Sequence, residues 1–317
     1  MTAVTFGSET TILEGGGRGA VAVNNAGQVV VIMLSDTCLQ YVVGTADANA
    51  QTVSFPSSPQ PAYTWDKGDA VCDFDVAMAP TANQVVLVFE QGGGKAEMFY
   101  RVGTISGNSI SWEPAVQFDT GAHPSVTMSD THVVEVHTSQ NNTAKLYYHV
   151  GAVDGGSVDG FNQGGTEFVN VGNPVFGVST SINTYDWLLT TVAWRPGSTI
   201  DGSVNYYGNG VGGSTFMSGL NDGTVTTGTW TSVVLYPSGL ALEVHNGNLD
   251  TAVAYMTGSY NETSGDENAG TVTWDPQVTT DFAGTSPDIA ACGQYAVLTY
   301  VSADTNLSTM ARFVAVG

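Results

Sequence analysis

The chain has 317 residues, and its 7 lysines and arginines stand against 29 aspartates and glutamates, a formal net charge of −22. Such a surface repels nucleic acid and anionic membranes, which carry the same sign, and no apolar run approaches the length of a transmembrane span. With 42% hydrophobic residues and 39 glycines, the composition suits one large closed all-β domain, and nothing in it demands a helix.

The opening Met1-Thr2-Ala3 lacks the basic and then apolar start of a signal peptide. Sparse lysine with abundant Asp, Asn, Ser and Thr nevertheless favours an extracellular over a cytoplasmic setting. From there a short β-type phrase ending in an aromatic residue recurs at Phe6, Phe55, Trp112, Phe168, Phe216 and Trp274, at spacings of 49, 57, 56, 48 and 58 residues. A second ladder keeps step with it, made of glycines that close tyrosine-containing strands: Gly44, Gly103, Gly151, Gly208, Gly258 and Gly317. Strand repeats of this period predict a β-propeller.

The repeat covering 122–172 gives the order of strands. An innermost strand is expected at Ser125–Met128, a second at Val133–His137, a third at Lys145–Val150 and an outermost one at Thr166–Val169. Residues 3–14 carry only the outermost phrase, whereas 287–317 carry three inner strands with no outer one. The two fragments are complementary. The expectation is a six-bladed propeller of four-stranded antiparallel blades, at about 15–68, 69–121, 122–172, 173–228, 229–284 and 285–317 plus 1–14, closed by the N-terminal strand.

Three cysteines, Cys38, Cys72 and Cys292, allow at most one disulfide, and Cys72 and Cys292 fall where innermost strands want small buried residues. Sequons at Asn141, Asn261 and Asn306 all lie in expected loops.

In a propeller, functional groups gather where the outer strand of one blade crosses to the inner strand of the next. The crossings bring Arg18, Asp66, Lys67, Asp69, Asp73, His123, Asn173, Trp230 and Asp288 to one mouth. Turn chemistry accounts for many of the acids and amides, but turns do not favour Arg18, His123 or Trp230. Trp194, followed by Arg195 at an expected loop, is a further platform for a sugar face, while Trp112 and Trp274 fill the fixed aromatic slot of the repeat.

A second constellation is the duplicated Glu-Val-His of Glu135–His137 and Glu243–His245. Residues two apart in a strand share a face, and other repeats place Val31 and Met33, Leu87 and Phe89, and Leu298 and Tyr300 in these slots. The slot is therefore apolar, and a carboxylate in it must be partnered. An intra-strand Glu–His contact or a tyrosine hydroxyl would serve; the alternative is that His137 and His245 line inter-blade ligand pockets. Two ligands per blade with no third are a weak zinc pattern, so no metal and no cofactor is expected.

The unit Gly-x-x-Pro-Ser-Val…Val-Val-Glu-Val-His…Leu-Tyr-Tyr-x-Val-Gly, with Ile-x-Trp and Phe-Asp-x-Gly, is clearest over residues 110–151. It resembles the repeats of lectin-like β-propellers of bacteria and fungi, including those beside phosphoinositide phospholipase-like domains and, more distantly, the fucose-binding and tectonin-type propeller lectins. The resemblance implies sugar binding on a propeller. The fucose-binding group uses an Arg, a Glu and a Trp in each pocket, and four arginines in all, Arg18, Arg101, Arg195 and Arg312, do not repeat that set around a ring. Sialidases share the six-bladed architecture, but their Ser-x-Asp-x-Gly-x-x-Trp box is absent here.

The resulting expectation is a lectin-like propeller binding a neutral polar glycan through Arg18, Lys67, Asp69, His123, His137, Asn173, Trp194, Trp230, His245 and Asp288, with no catalytic residue. Neither nucleic acid nor membrane insertion belongs in it, and the oligomeric state stays open. The alternative is an enzyme whose active site is the channel mouth, acting on a glycan or as a cyclase; a pure interaction scaffold is third.

Overall fold

The glycine and aromatic ladders meet across a single strand pair. Gly103 lies opposite Trp112 in an antiparallel ladder, and a Cβ on Gly103 would sit 2.8 Å from the indole Cε3. Gly258 meets Trp274 at the same distance, and Gly44 meets Phe55 at 2.5 Å. In these three repeats the ring packs on bare backbone, whereas Gly151 meets Val158 and the backbone of Asp159.

The structure is a computed structural model describing residues 2–65, 70–92, 96–141, 143–183, 185, 187–194, 203–212, 215–216, 221–226, 230–246, 252–262, 270–303 and 307–317. It is all-β and propeller-like: each innermost strand is followed by two more in an antiparallel meander. The first group is Gly19–Val23, Gln28–Leu34 and Cys38–Asp47. The second is Val71–Met78, Gln84–Gln91 and Glu97–Ser106. The third begins within Val116–Met128 and continues through Val133–Ser139 and Lys145–Asp154. Val175–Ile182, Trp187–Trp194 and Ser203–Gly212 follow, then Trp230–Leu235, Leu240–Asn246 and Ala252–Glu262. The final group begins within Val278–Cys292 and continues through Tyr295–Ser302 and Thr309–Val316.

Third strands are long because each pairs twice on its outer edge. The aromatic phrase makes a short hairpin arm against one half, as Ser109–Trp112 does on Glu97–Ser106, and the true outer strand pairs with the other half, as Val116–Thr120 does. This corrects the expectation that the phrase is itself the outermost strand. In the 122–172 repeat the arm is Ser157–Asp159, while Thr166–Asn170 is the outer strand as expected, so Phe168 is out of register with the other phrase aromatics. At the chain's start, Val4–Phe6 and Thr10–Leu13 both pair with Thr309–Val316.

Inter-blade packing follows the slots read from the sequence. Val31, Met33, Leu87, Phe89, Leu298 and Tyr300 are fully buried, and the fourth repeat supplies Thr190 and Val192 at the same register. Cys38 is buried, but Cys72 is exposed; the bulge between Val71 and Asp73 turns its side chain out of the inner face, which overturns the packing role expected for it.

Candidate functional site

Equivalent positions of successive innermost strands carry short oxygen-bearing side chains: Asp75, Ser125, Ser179, Ser232 and Asp288. Each accepts a backbone N–H from the next strand. Asp75 Oδ2 takes Val126 N–H at 2.9 Å, and Ser125, Ser179 and Ser232 take the N–H groups of Thr180, Val233 and Ile289 at 3.0 Å each. Asp288 Oδ2 takes Val21 N–H at 2.7 Å, tying the last group to the first. Inner faces of these strands cannot pair with one another as a sheet, so side chains satisfy the backbone donors. The strands enclose a channel of about 130 Å³ lined by Val21, Asp75, Val126, Ser179, Ser232 and Asp288 among others.

Arg18 lies immediately before the first innermost strand, at the crossing mouth, which is the opposite end of these strands from Asn25, Pro80, Asn183 and Pro237, the residues that line the rest of the channel. Its guanidinium lies over the rings of Trp230, at 4.5 Å, and Phe74, at 5.1 Å. It pairs with Asp73, and its side chain is 17% exposed. Asp75 and Asp288 also act on it electrostatically. Burial lowers the proton affinity of the guanidinium, and the two carboxylates oppose that shift. Asp75 is pushed up to about 7, first by burial and then by Asp288, against the hydrogen bonds of Val126 and Ser125. Burial likewise raises Asp288. One cation among these acids is balanced because they do not all ionise together.

His123 adds a titratable edge. Its Nδ1 lies 3.0 Å from Asp73 Oδ2, and its backbone is left-handed at φ 55°, where a non-glycine residue costs on the order of 1–2 kcal/mol. The bulge between Ala122 and Ser125 imposes that conformation, and Ser286 repeats it at φ 50° beside an equivalent bulge. Glu90 completes the cluster. It is the cross-strand partner of Asp73, which sets the two Cβ atoms about 5 Å apart on one face. Burial raises its proton affinity, partly opposed by His123, while burial lowers that of His123.

Of the residues singled out in the sequence, Arg18, His123, Trp230 and Asp288 converge here, together with Asp73. Lys67 and Asp69 lie outside the described residues, as does the side chain of Trp194. Asn173 is partly buried in the crossing before Val175–Ile182, with no contact to Arg18 or His123 among the described residues. His137 and His245 are elsewhere, 2% and 0% exposed in the second strands. Each is held by its own glutamate, Glu135 Oε2 to His137 Nδ1 at 2.9 Å and Glu243 Oε2 to His245 Nδ1 at 2.7 Å. The intra-strand contact therefore satisfies both acids, and neither ring presents a face to a sugar. Glu90 and Asp75 escaped the sequence reading. Glu90 follows directly on the Leu87–Phe89 slot, and Asp75 holds the position repeated by Ser125, so the alternation contained both signals.

No family model matches the chain, and no curated protein matches it in sequence. Solved structures do match in fold. The α-L-arabinofuranosidase of Fusarium graminearum, solved with arabinobiose, has 10% identity over 98% of each chain at a TM-score of 0.59. A protein of unknown function from Dyadobacter fermentans has 10% identity over 99% of each chain at 0.63. The NanB sialidase of Streptococcus pneumoniae has 8% identity, covering 99% of this chain and 70% of that one, at 0.62. These likenesses establish a fold of the glycosidase and sialidase propeller type.

Proposed function

We propose that the chain is a six-bladed propeller, divided as its repeats divide and closed by its N-terminal strands, that hydrolyses a neutral glycan at the channel mouth. Supporting the closure are the pairing of Val4–Phe6 and Thr10–Leu13 with Thr309–Val316 and the bond from Val21 to Asp288. The observation that carries the function is the carboxyl pair of Asp73 and Glu90, opposite one another on adjacent strands, with Asp73 paired to Arg18 and burial raising the proton affinity of Glu90.

Glycoside hydrolysis needs one carboxyl to donate a proton to the leaving oxygen and another, ionised, to act as nucleophile or base. Glu90 takes the part of the acid, because burial raises its proton affinity. Asp73 is the ionised partner, because Arg18 and His123 bear on it. Trp230 offers a stacking face beside the guanidinium. The similar structures include enzymes solved with arabinobiose, which supports a pentose or related neutral sugar as substrate. Sialic acid fits less well: Arg101 is bound to the carbonyls of Ala62 and Glu113, and Arg312 to Glu9, so among the described residues no second arginine joins Arg18.

A panel of neutral aryl glycosides and oligosaccharides tests the reading. Activity is expected to fall by at least about a hundredfold in both Glu90→Gln and Asp73→Asn, in line with the loss of an acid or base. Full activity in either variant removes the assignment. One observation favours a second reading, binding without chemistry: Asp73 is already engaged by both Arg18 and His123. Sugar affinity without turnover in the wild type would select it.

A further inference from the structure

The duplicated Glu-Val-His does not have duplicated surroundings. In the second copy Thr231 donates its hydroxyl to Glu243 Oε1 at 2.8 Å, so Glu243 is bonded on both oxygens. Pro124 precedes Ser125 as Thr231 precedes Ser232, and it has no hydroxyl. Glu135, fully buried, accordingly has an Oε1 without a partner among the described residues. Two further groups appear only in the first copy. His149 is the cross-strand partner of Glu135, where Met256 stands opposite Glu243. Asp119, at the end of the preceding outer strand, reaches over both rings.

The ligand atoms converge. His149 Nε2 lies 2.9 Å from Asp119 Oδ2, and His137 Nε2 lies 3.7 Å from the same oxygen. All three groups offer an atom within 4.8 Å of the others. Tetrahedral zinc with bonds near 2.0–2.1 Å separates its ligand atoms by about 3.3 Å, between the two measured edges. Glu135 holds Nδ1 of His137 and so leaves Nε2 of the neutral ring as a lone pair facing the cluster, which is the outer-carboxylate arrangement of metal-bound histidine. A divalent ion would also match the charges of Glu135 and Asp119.

The walls are built closely. Gly165 donates its N–H to Asp119 Oδ2 at 3.0 Å, and a Cβ there would come within 2.8 Å of that oxygen and 3.1 Å of His149 Nε2. Phe118 meets the His149 ring edge-on, with centroids 5.1 Å apart, and Tyr147 stacks on His137. Asp119, 23% exposed, is the accessible member.

We propose that Asp119, His137 and His149 bind one divalent transition-metal ion of the zinc class, with Glu135 orienting His137. The ion staples the outer strand of one blade to the second and third strands of the next. This replaces the expectation that the histidine pair holds no metal, and it is independent of the glycosidase reading.

Tag-free protein stripped with chelator is titrated with zinc chloride and, separately, cobalt chloride. The expected result is one equivalent bound, a rise in melting temperature with zinc, and visible cobalt absorption typical of four or five coordination. His149→Met, which installs the residue of the second copy, and Asp119→Asn are each expected to weaken zinc by more than about a hundredfold and to abolish the cobalt bands. His132→Ala, at a partly buried histidine outside the cluster, leaves the stoichiometry at one. Wild type that binds no equivalent and shows no cobalt bands overturns the proposal without recourse to any variant. So does His149→Met or Asp119→Asn binding as the wild type does.

Discussion

Arg18 shows how much a single side chain carries at this mouth. It is the described cation among Asp73, Asp75 and Asp288, and its planar group lies over the rings of Trp230 and Phe74. Removing one partner of such a group leaves the others uncompensated, so Arg18→Ala is expected to cost about 3–5 kcal/mol in urea unfolding at neutral pH. Arg18→Lys should recover only part of this, since an ammonium does not stack as a plane. Asp75 predicts a pH dependence. Its folded pKa, about 7, lies above its ordinary value, so the native state holds a proton that the unfolded chain has lost. Its contribution to stability therefore falls as pH rises from about 4 to about 7. Unfolding of Asp75→Asn, measured across that window, should lose this slope; an unchanged slope would assign it to other groups.

At the scale of the element, the glycine–aromatic pair lets the hairpin arm close on the third strand at Gly44, Gly103 and Gly258. Gly103→Ala would place a methyl 2.6–2.8 Å from Ile110, Trp112 and Val85, and overpacking of this kind costs about 1–3 kcal/mol. Gly107, in the turn two residues beyond Ile105, has φ +60° and open space around it, so alanine there should cost only about 1 kcal/mol through backbone strain. Chemical denaturation of the two variants separates crowding from conformation. The second strands give a parallel case. Thr231→Val strips Glu243 Oε1 of its donor and should destabilise by about 1–3 kcal/mol.

For the whole molecule, the last third strand depends on the first residues of the chain. Without Val4–Phe6 and Thr10–Leu13 the outer edge of Thr309–Val316 is bare, and an unpaired edge invites association with other chains. Deleting residues 2–14 is expected to broaden the thermal transition or cause aggregation; an unaltered melting curve would sink the proposed closure. The net charge of −22 acts at the same scale. A neutral glycan held by stacking and hydrogen bonds should bind almost independently of ionic strength, whereas an acidic one would lose affinity as salt screens Arg18. Titration of the best ligand at low and high salt decides between them.

What the chain determined by itself was the repeat. A glycine that an aromatic ring must cover, and slots such as Leu87–Phe89 that tolerate only buried groups, are local demands of a strand and can be read one repeat at a time. The mouth was legible in part for the same reason: Arg18, His123 and Trp230 sit at crossings where turn chemistry does not call for them. What tertiary structure alone decided is which copies of a motif meet other groups. Glu135–His137 and Glu243–His245 are identical as text, yet His149 and Asp119 close on one, while Thr231 completes the other. Glu90 likewise became part of a carboxylate pair only because the register sets it opposite Asp73. Protonation, ion pairing and metal affinity depend on distances between strands far apart in the sequence, and those distances are set only by the packing of blade against blade.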